Sequence, residues 1–198
     1  MSNTEASLQT FKKFLPIQLV KRGYDYDDVS KLISLSKKQI ANNKPVDSCL
    51  ILDDCMYDSK IMKSQDQKEL HLNGRHYHIT LFNTTQYLMV VPPVIRSNID
   101  YVICLQDSVL SNRKKLYQFF FGAFATFKEF DTVFRQITEN NRALVLDNTK
   151  KTNIIEDAIF HYKASLNIPR FRIGRDMFFN RREKRKHKND KSIMIVQT

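Results

Sequence analysis

Residues 48–54 read Ser-Cys-Leu-Ile-Leu-Asp-Asp, a short unbroken apolar run that ends in two carboxylates. Apolar runs of this length without alternation are typical of strands buried on both faces of a parallel sheet, so 48–53 is read as a central strand, with Cys49 as a small core hydrophobe. A carboxylate at the carboxyl end of such a strand sits where open α/β sheets bind ligands. It can hold Mg²⁺ or its water shell, and a neighbouring acid can orient or deprotonate the attacking water in phosphate hydrolysis. Taken alone, such a pair more often just ends a strand and caps the next turn.

Patterns on either side of this run have the α/β order. Val29, Leu32, Ile33, Ser36 and Ile40 follow Asp27 and Asp28 at helical spacing, which predicts a helix over 27–42 capped by those acids. Residues 59–72 are polar with widely spaced apolar anchors before Asn73-Gly74, as in a crossover helix. His78–Phe82 and Tyr101–Leu105 read as further strands, separated by the non-helical turn that Pro92-Pro93 imposes. Residues 111–140 carry Tyr117–Phe121, Phe127, Phe130, Phe134 and Ile137 on one helical face, with a break at Gly122, and 143–147 and 159–164 read as the last strands. The aromatic stripe keeps helical spacing, so it is core rather than a base-stacking surface.

The chain has 198 residues, 42% of them hydrophobic and 27% charged, with 4 Gly and 5 Pro, which excludes bulk disorder and collagen-like designs. One domain over 1–180 is expected, followed by a flexible basic tail at 181–198. No apolar run approaches the ~20 residues needed to cross a bilayer, and the start of the sequence has no signal-peptide pattern, so no membrane insertion and no secretion are expected. Cys49, Cys55 and Cys104 are odd in number and form no C-x-x-C pair, so a disulfide framework or zinc ribbon is not written here. His71, His76 and His78 lack the acid or cysteine that would complete a metal set.

Lys and Arg number 32 against 21 Asp and Glu, a net charge of +11 that points to a polyanionic partner. Residues 181–191, RREKRKHKNDK, hold seven Lys/Arg against two acids and so carry +5 of that excess. Arg181, Arg182, Lys184, Arg185, Lys186 and Lys188 are the candidate DNA contacts, with a solvated tail or a nuclear localisation signal as the other reading. Gln86, just past the 78–82 strand, is placed to sense a phosphate or hold a water. Arg75 and Arg96 are candidates for charge stabilisation. The four glycines lie far apart and none begins the end of a G-x-x-x-x-G-K-[ST] loop, so the usual phosphate cradle is not in this sequence.

TEASLQTFKKFLP (4–16), CLILDDC (49–55), NGRHYHITLFNTTQY (73–87), VPPVIRSNIDYVICL (91–105), ALVLD (143–147) and IFHYKA (159–164) follow one another in an order that resembles the virion DNA-packaging ATPases of large double-stranded DNA viruses. These poxvirus-like packaging ATPases belong to the FtsK/HerA-type P-loop NTPase superfamily, and the likeness spans about residues 4–179. The resemblance implies a P-loop NTPase-like, mostly parallel α/β sheet with flanking helices. It implies ATP and Mg²⁺ as cofactors, with Asp53 as the Walker B metal residue, Asp54 as the second acid, Gln86 as the polar sensor, and Arg75 or Arg96 as an arginine finger. It also implies a homo-oligomeric ring acting on double-stranded DNA with capsid or portal components, in the host cytoplasm at viral factories or in the nucleus, and in the virion. The departure is the absent Walker A segment: in the family the glycine-rich loop and first strand precede the part matching 4–16. The expectation is therefore an N-terminally truncated piece that carries Walker B and sensor but hydrolyses ATP poorly by itself, or else a non-catalytic nucleic-acid-binding remnant that uses its basic tail.

Overall fold

The computed structural model describes residues 1–55, 58–86, 88, 91–150, 152, 154–167, 169, 171 and 173. They form two units, one built on Met1–Gln86 and the other on Tyr87–Asn167. The basic run at 181–191 and the boundary expected near 180 lie outside the described residues.

The first unit opens with α1 (Glu5–Phe11), whose Leu8 is buried, and a 3-10 turn at Ile17–Leu19. Helix α2 (Tyr26–Ala41) is capped by Asp25, whose carboxylate accepts the Asp28 N–H, rather than by Asp27 or Asp28. It buries Val29, Ile33 and Ser36 on one face, with Lys38 in the last turn complementing the helix dipole. Strand β1 (Ser48–Asp53) buries only Leu50 and Leu52, so it is not covered on both faces as its apolar run suggested. Cys49 lies on the opposite side of the pleat from these leucines and is exposed, which corrects its reading as a core residue. The buried thiols are Cys55 and Cys104, the latter pushed up to about 12 by burial.

The crossover expected over 59–72 is two short helices, α3 (Ser59–Lys63) and α4 (Gln65–Asn73). Ser64 has extended φ/ψ, which stops α3, and its hydroxyl accepts the Gln67 N–H, which starts α4. A parallel pair needs such a crossover, and β2 (Ile79–Thr84) accordingly pairs with β1 in parallel, in the register Ser48 with Ile79 through Asp53 with Thr84. His76 belongs to the 3-10 turn Gly74–Tyr77 rather than to β2.

In the second unit, Pro92-Pro93 leads into α5 (Pro93–Arg96), followed by β3 (Tyr101–Cys104), α6 (Leu110–Phe120), α7 (Phe127–Ile137), β4 (Arg142–Asp147), α8 (Ile155–Ala158) and β5 (Ile159–Lys163). The chain is therefore α/β, and its strand and helix order follows the sequence pattern closely. The parallel pairing is found between β1 and β2. In contrast, β3, β4 and β5 pair antiparallel, so the mostly parallel sheet that the resemblance implies is not found in this unit. The reason is local: α6 and α7 carry the chain out and back, so β4 starts beside the end of β3, with Leu144 opposite Cys104.

One face of this sheet meets a phenylalanine cluster. Phe121, Phe130 and Phe134 are fully buried against Cys104, Leu144 and Leu146. Phe130 is the hub, its ring centroid 5.0 Å from Phe121, 5.5 Å from Phe134 and 5.7 Å from Phe124. Behind it, Arg113 is nearly buried and donates to Asp131 and, at 3.0 Å, to the Asp107 carbonyl. Phe130→Ala is expected to destabilise this unit by about 3–5 kcal/mol through the cavity it leaves, read as a lower urea midpoint.

In the first unit His71 Nδ1 lies 2.8 Å from the Gln67 carbonyl, and burial lowers its pKa below the ordinary 6.5 despite that contact. A histidine with a lowered folded-state pKa stabilises the fold above its unfolded pKa and loses that contribution as the pH falls. The melting temperature should therefore decline as the pH drops below about 6.5, and His71→Gln should flatten that part of the profile.

Candidate active site

Because β1 and β2 are parallel and in register, Asp53 and Thr84 are paired at the carboxyl ends of their strands. The Thr84 hydroxyl donates to Asp53 Oδ1 at 3.0 Å and accepts the backbone N–H of Asp54 at 3.0 Å. On the other side of β1, the N-terminal residues run alongside in parallel, with Ser2 bridging both Asp53 and Arg22. The Asp53 N–H donates to the Met1 carbonyl at 2.9 Å, and the fully buried Ser2 hydroxyl donates to Asp53 Oδ2 at 2.9 Å. Asp53 is thus held by hydroxyls from two separate segments, the N-terminal stretch and β2.

Burial pushes the Asp53 carboxyl up, but hydrogen bonds from Ser7, Ser2 and Thr84 outweigh it, so its pKa lies below the ordinary 3.8. At neutral pH it is an ionised carboxylate of fixed orientation. Asp54 turns out of the strand with φ of +51°, a left-handed conformation that aspartate tolerates better than most residues. Its backbone is tied at both ends, the N–H to Thr84 and the carbonyl to Asn3 Nδ2 at 3.3 Å. Among the described residues no hydrogen bond or ion pair reaches its carboxylate, which leaves the second acid able to engage a water. Gly23 completes the frame: with φ of +69° it lets its N–H reach the Ser2 carbonyl at 2.9 Å, and a Cβ there would stand 3.3 Å from Asn3 Oδ1.

The other candidates are dispersed. Gln86 is exposed, two residues beyond the end of β2, and it is Thr84 that contacts Asp53. Arg75 is exposed in the 3-10 turn that precedes β2. Arg96 belongs to the second unit, where its guanidinium lies 3.8 Å from the centre of the Phe119 ring and donates to the Val91 carbonyl at 3.1 Å. Arg181, Arg182, Lys184, Arg185, Lys186 and Lys188 lie outside the described residues. Ser2, Ser7 and Thr84 were missed in the sequence. For Thr84 a signal existed, since a parallel register starting at Ser48 and Ile79 puts it opposite Asp53.

Among the described residues no group of three or more His, Cys, Asp or Glu side chains is placed to enclose a metal ion, and no helix is long and apolar enough to cross a membrane.

Uncharacterized protein 088R of Invertebrate iridescent virus 3 is 32% identical over 180 residues, which are 88% of this chain and 68% of 088R. The chain belongs to the 088R family. Uncharacterized protein L437 of Acanthamoeba polyphaga mimivirus is 38% identical over 116 residues, 58% of this chain and 41% of L437, so the chain spans less than half of that relative. No protein-family profile matches the chain. Among solved structures it resembles the genome packaging NTPase B204 from Sulfolobus turreted icosahedral virus 2. The complex with ATP-gammaS aligns with a TM-score of 0.53 and 18% identity over 80% of this chain and 79% of B204. The complex with AMPPCP gives 0.52 and 15% over 83% and 81%. At that identity the likeness is one of fold, and the chain shares the α/β fold of B204.

Removing the hydroxyl from Thr84 tests the cradle. Thr84→Val should raise the Asp53 carboxyl pKa, because burial persists while a donor is lost, and carbon-detected NMR titration of Asp53 reads it directly. The sign carries over to stability: a lowered carboxylate pKa stabilises the fold at neutral pH and is lost as the pH falls through it, so Thr84→Val should lessen acid sensitivity while lowering stability at pH 7.

Proposed function

We propose that this chain is an ATPase subunit, or part of one, for packaging viral double-stranded DNA into capsids, and that β1 and β2 form the metal-holding, water-orienting side of its nucleotide site. The observation that carries this reading is the Asp53 cradle: an ionised carboxylate at the end of a parallel strand, oriented by Ser2 and Thr84, with Asp54 adjoining it. The donors here are all oxygens, and Mg²⁺ binds through one or two carboxylates plus waters and substrate phosphates rather than in an all-protein cage. The residues present fit that ion. Asp53 would hold it through its water shell, and the bound ion neutralises charge on the phosphate oxygens.

In this reading Asp54 takes the proton of the attacking water, Thr84 fixes the angle between the two acids, and Gln86 serves as the polar sensor. Arg75 precedes β2 and so stands at the amino end of the strand pair, opposite the end that carries Asp53 and Thr84. Arg96 would have to leave the Phe119 ring and the Val91 carbonyl to reach a phosphate, so the reading assigns charge stabilisation to neither arginine in particular. The B204 complexes with ATP-gammaS and AMPPCP support a nucleotide ligand, and the iridescent virus and mimivirus relatives support a viral setting. This sequence holds no GxxxxGK[ST], so the cradle for the β- and γ-phosphates comes from residues outside it.

The test is Mg²⁺-dependent ATP hydrolysis with and without duplex DNA, for this chain and for 088R, each beside the variant that removes the aspartate matching Asp53. Hydrolysis by 088R that falls at least ~100-fold in that variant is the expected result, with little turnover by the 198 residues alone. Full activity in the 088R variant would remove Asp53 from the mechanism.

A second reading, a non-catalytic nucleic-acid-binding protein, is favoured by the net +5 of residues 181–191. It predicts duplex binding whose affinity falls steeply with salt, with a slope of about −0.9 for each phosphate contacted. Deleting 181–191 should then lower both the affinity and that slope, as read by fluorescence anisotropy at several salt concentrations.

A further inference from the structure

The two acids at the end of β1 are held by different means. Asp53 is gripped by its carboxylate, whose oxygens accept from the Ser2 and Thr84 hydroxyls. Asp54 is gripped by its main chain: its N–H donates to the Thr84 hydroxyl at 3.0 Å, and its carbonyl accepts from Asn3 Nδ2 at 3.3 Å. Those are the peptide groups on either side of the Asp54 Cα. Each peptide is a rigid plane, so tying both fixes φ and ψ together, and with them the direction in which the Cα–Cβ bond leaves the chain. The φ of +51° held in this way is uncommon for any residue other than glycine and persists where the surroundings require it.

Asn3 is itself fixed from its far side. Ser2, the residue before it, is bound to the segment at 21–23: its N–H donates to the Lys21 carbonyl at 3.1 Å, and its carbonyl accepts the Gly23 N–H at 2.9 Å. Asn3 Oδ1 faces Gly23 so closely that a Cβ there would stand 3.3 Å from it. The side chain is therefore seated between Gly23 and the Asp54 carbonyl, with its oxygen toward one and its nitrogen toward the other. Asparagine suits the place because it carries a donor on a short side chain, whereas an ionised aspartate of the same shape carries none.

We infer that Asn3 is the positioning residue for Asp54, setting where its carboxylate points without occupying it. The placement is a property of the fold, and its role in catalysis rests on the hydrolytic reading proposed for these strands. A group that takes a proton from an attacking water must be well placed, since a displacement of ~1 Å can cost on the order of 100-fold in rate. It must also keep its oxygens free, and each hydrogen bond accepted by a carboxylate lowers its basicity. Orientation through the main chain meets both demands, and among the described residues both hydrogen bonds of Asp54 are made by its backbone. Consecutive residues thus serve consecutive acids, Ser2 the carboxylate of Asp53 and Asn3 the main chain of Asp54.

Two measurements test the inference. On the full chain labelled with ¹⁵N and ¹³C, the HN–Hα coupling and the Cα and Cβ shifts of Asp54 report its φ. They should show the left-handed value in the wild type and move toward negative φ in Asn3→Asp, which removes only the donor, and in Asn3→Ala. Asn3 is only partly buried, so both variants should fold, and the dispersion of the same spectra checks it. An Asp54 that keeps its left-handed signature in the folded variants would overturn the inference. For the role in catalysis, alanine at the 088R position matching Asn3 should lower kcat for ATP about tenfold or more and leave KM unchanged, because the side chain acts on the acid and not on the nucleotide. If kcat survives that change while loss of the aspartate matching Asp53 abolishes turnover, the positioning role fails and the hydrolytic reading stands. Full activity without that aspartate would remove the hydrolytic reading and the positioning role with it.

Discussion

The in-register parallel pairing of β1 with β2 is the constraint on which the candidate site depends. A side chain at the end of one strand can meet a side chain at the end of its neighbour only if both strands point the same way and neither slips. A one-residue slip would turn Thr84 to the opposite face from Asp53. The register is held by the burial of Leu50, Leu52 and Ile79. It is also held by Thr84 itself, whose hydroxyl serves the Asp53 carboxylate and the Asp54 N–H at once. Packing and site geometry are therefore one problem here: what keeps the strands aligned also keeps the two acids at a fixed angle.

Much of the fold was legible because its signals are local. The helix at 26–41 is written in the spacing of Val29, Ile33 and Ser36, and the helix pair around Gly122 in the aromatic stripe. Burial was less legible. The run Cys49–Leu52 looks uniformly apolar, yet the pleat sends Leu50 and Leu52 inward and Cys49 outward, and how far each face is covered depends on neighbours distant in sequence. Strand direction was equally hidden: nothing in 101–164 says that α6 and α7 return the chain to the end of β3.

The acids of the candidate site stood out as a pair after an apolar run, but the groups that orient them did not. Ser2 and Ser7 come from a stretch with no periodic pattern, and hydroxyls are too common in loops for their identity to mark them. Thr84 sits two residues before Gln86, the more conspicuous polar residue of the same segment. The structure distinguishes them by reach: Thr84 ends the strand opposite Asp53, whereas Gln86 has already left it. Arg96 shows the converse. Its motif context made it a candidate for charge stabilisation, and the structure stacks it on Phe119.

A single oriented carboxylate is a weak cation site in water, and this shapes what the site can do. Asp53 brings one negative charge, partly neutralised in effect by the hydroxyls that donate to it, and Asp54 stands beside it rather than converging with it. Mg²⁺ gives up its waters reluctantly, so one such carboxylate holds it firmly only when phosphate oxygens complete the shell. Metal and nucleotide would then bind as one unit, each scarcely retained without the other. Under the proposed function, the charge at the end of β1 and β2 would then change only when the whole ligand arrives or leaves. Thr84, bonded to the Asp53 carboxylate and the Asp54 N–H, is the group through which β2 would register the change.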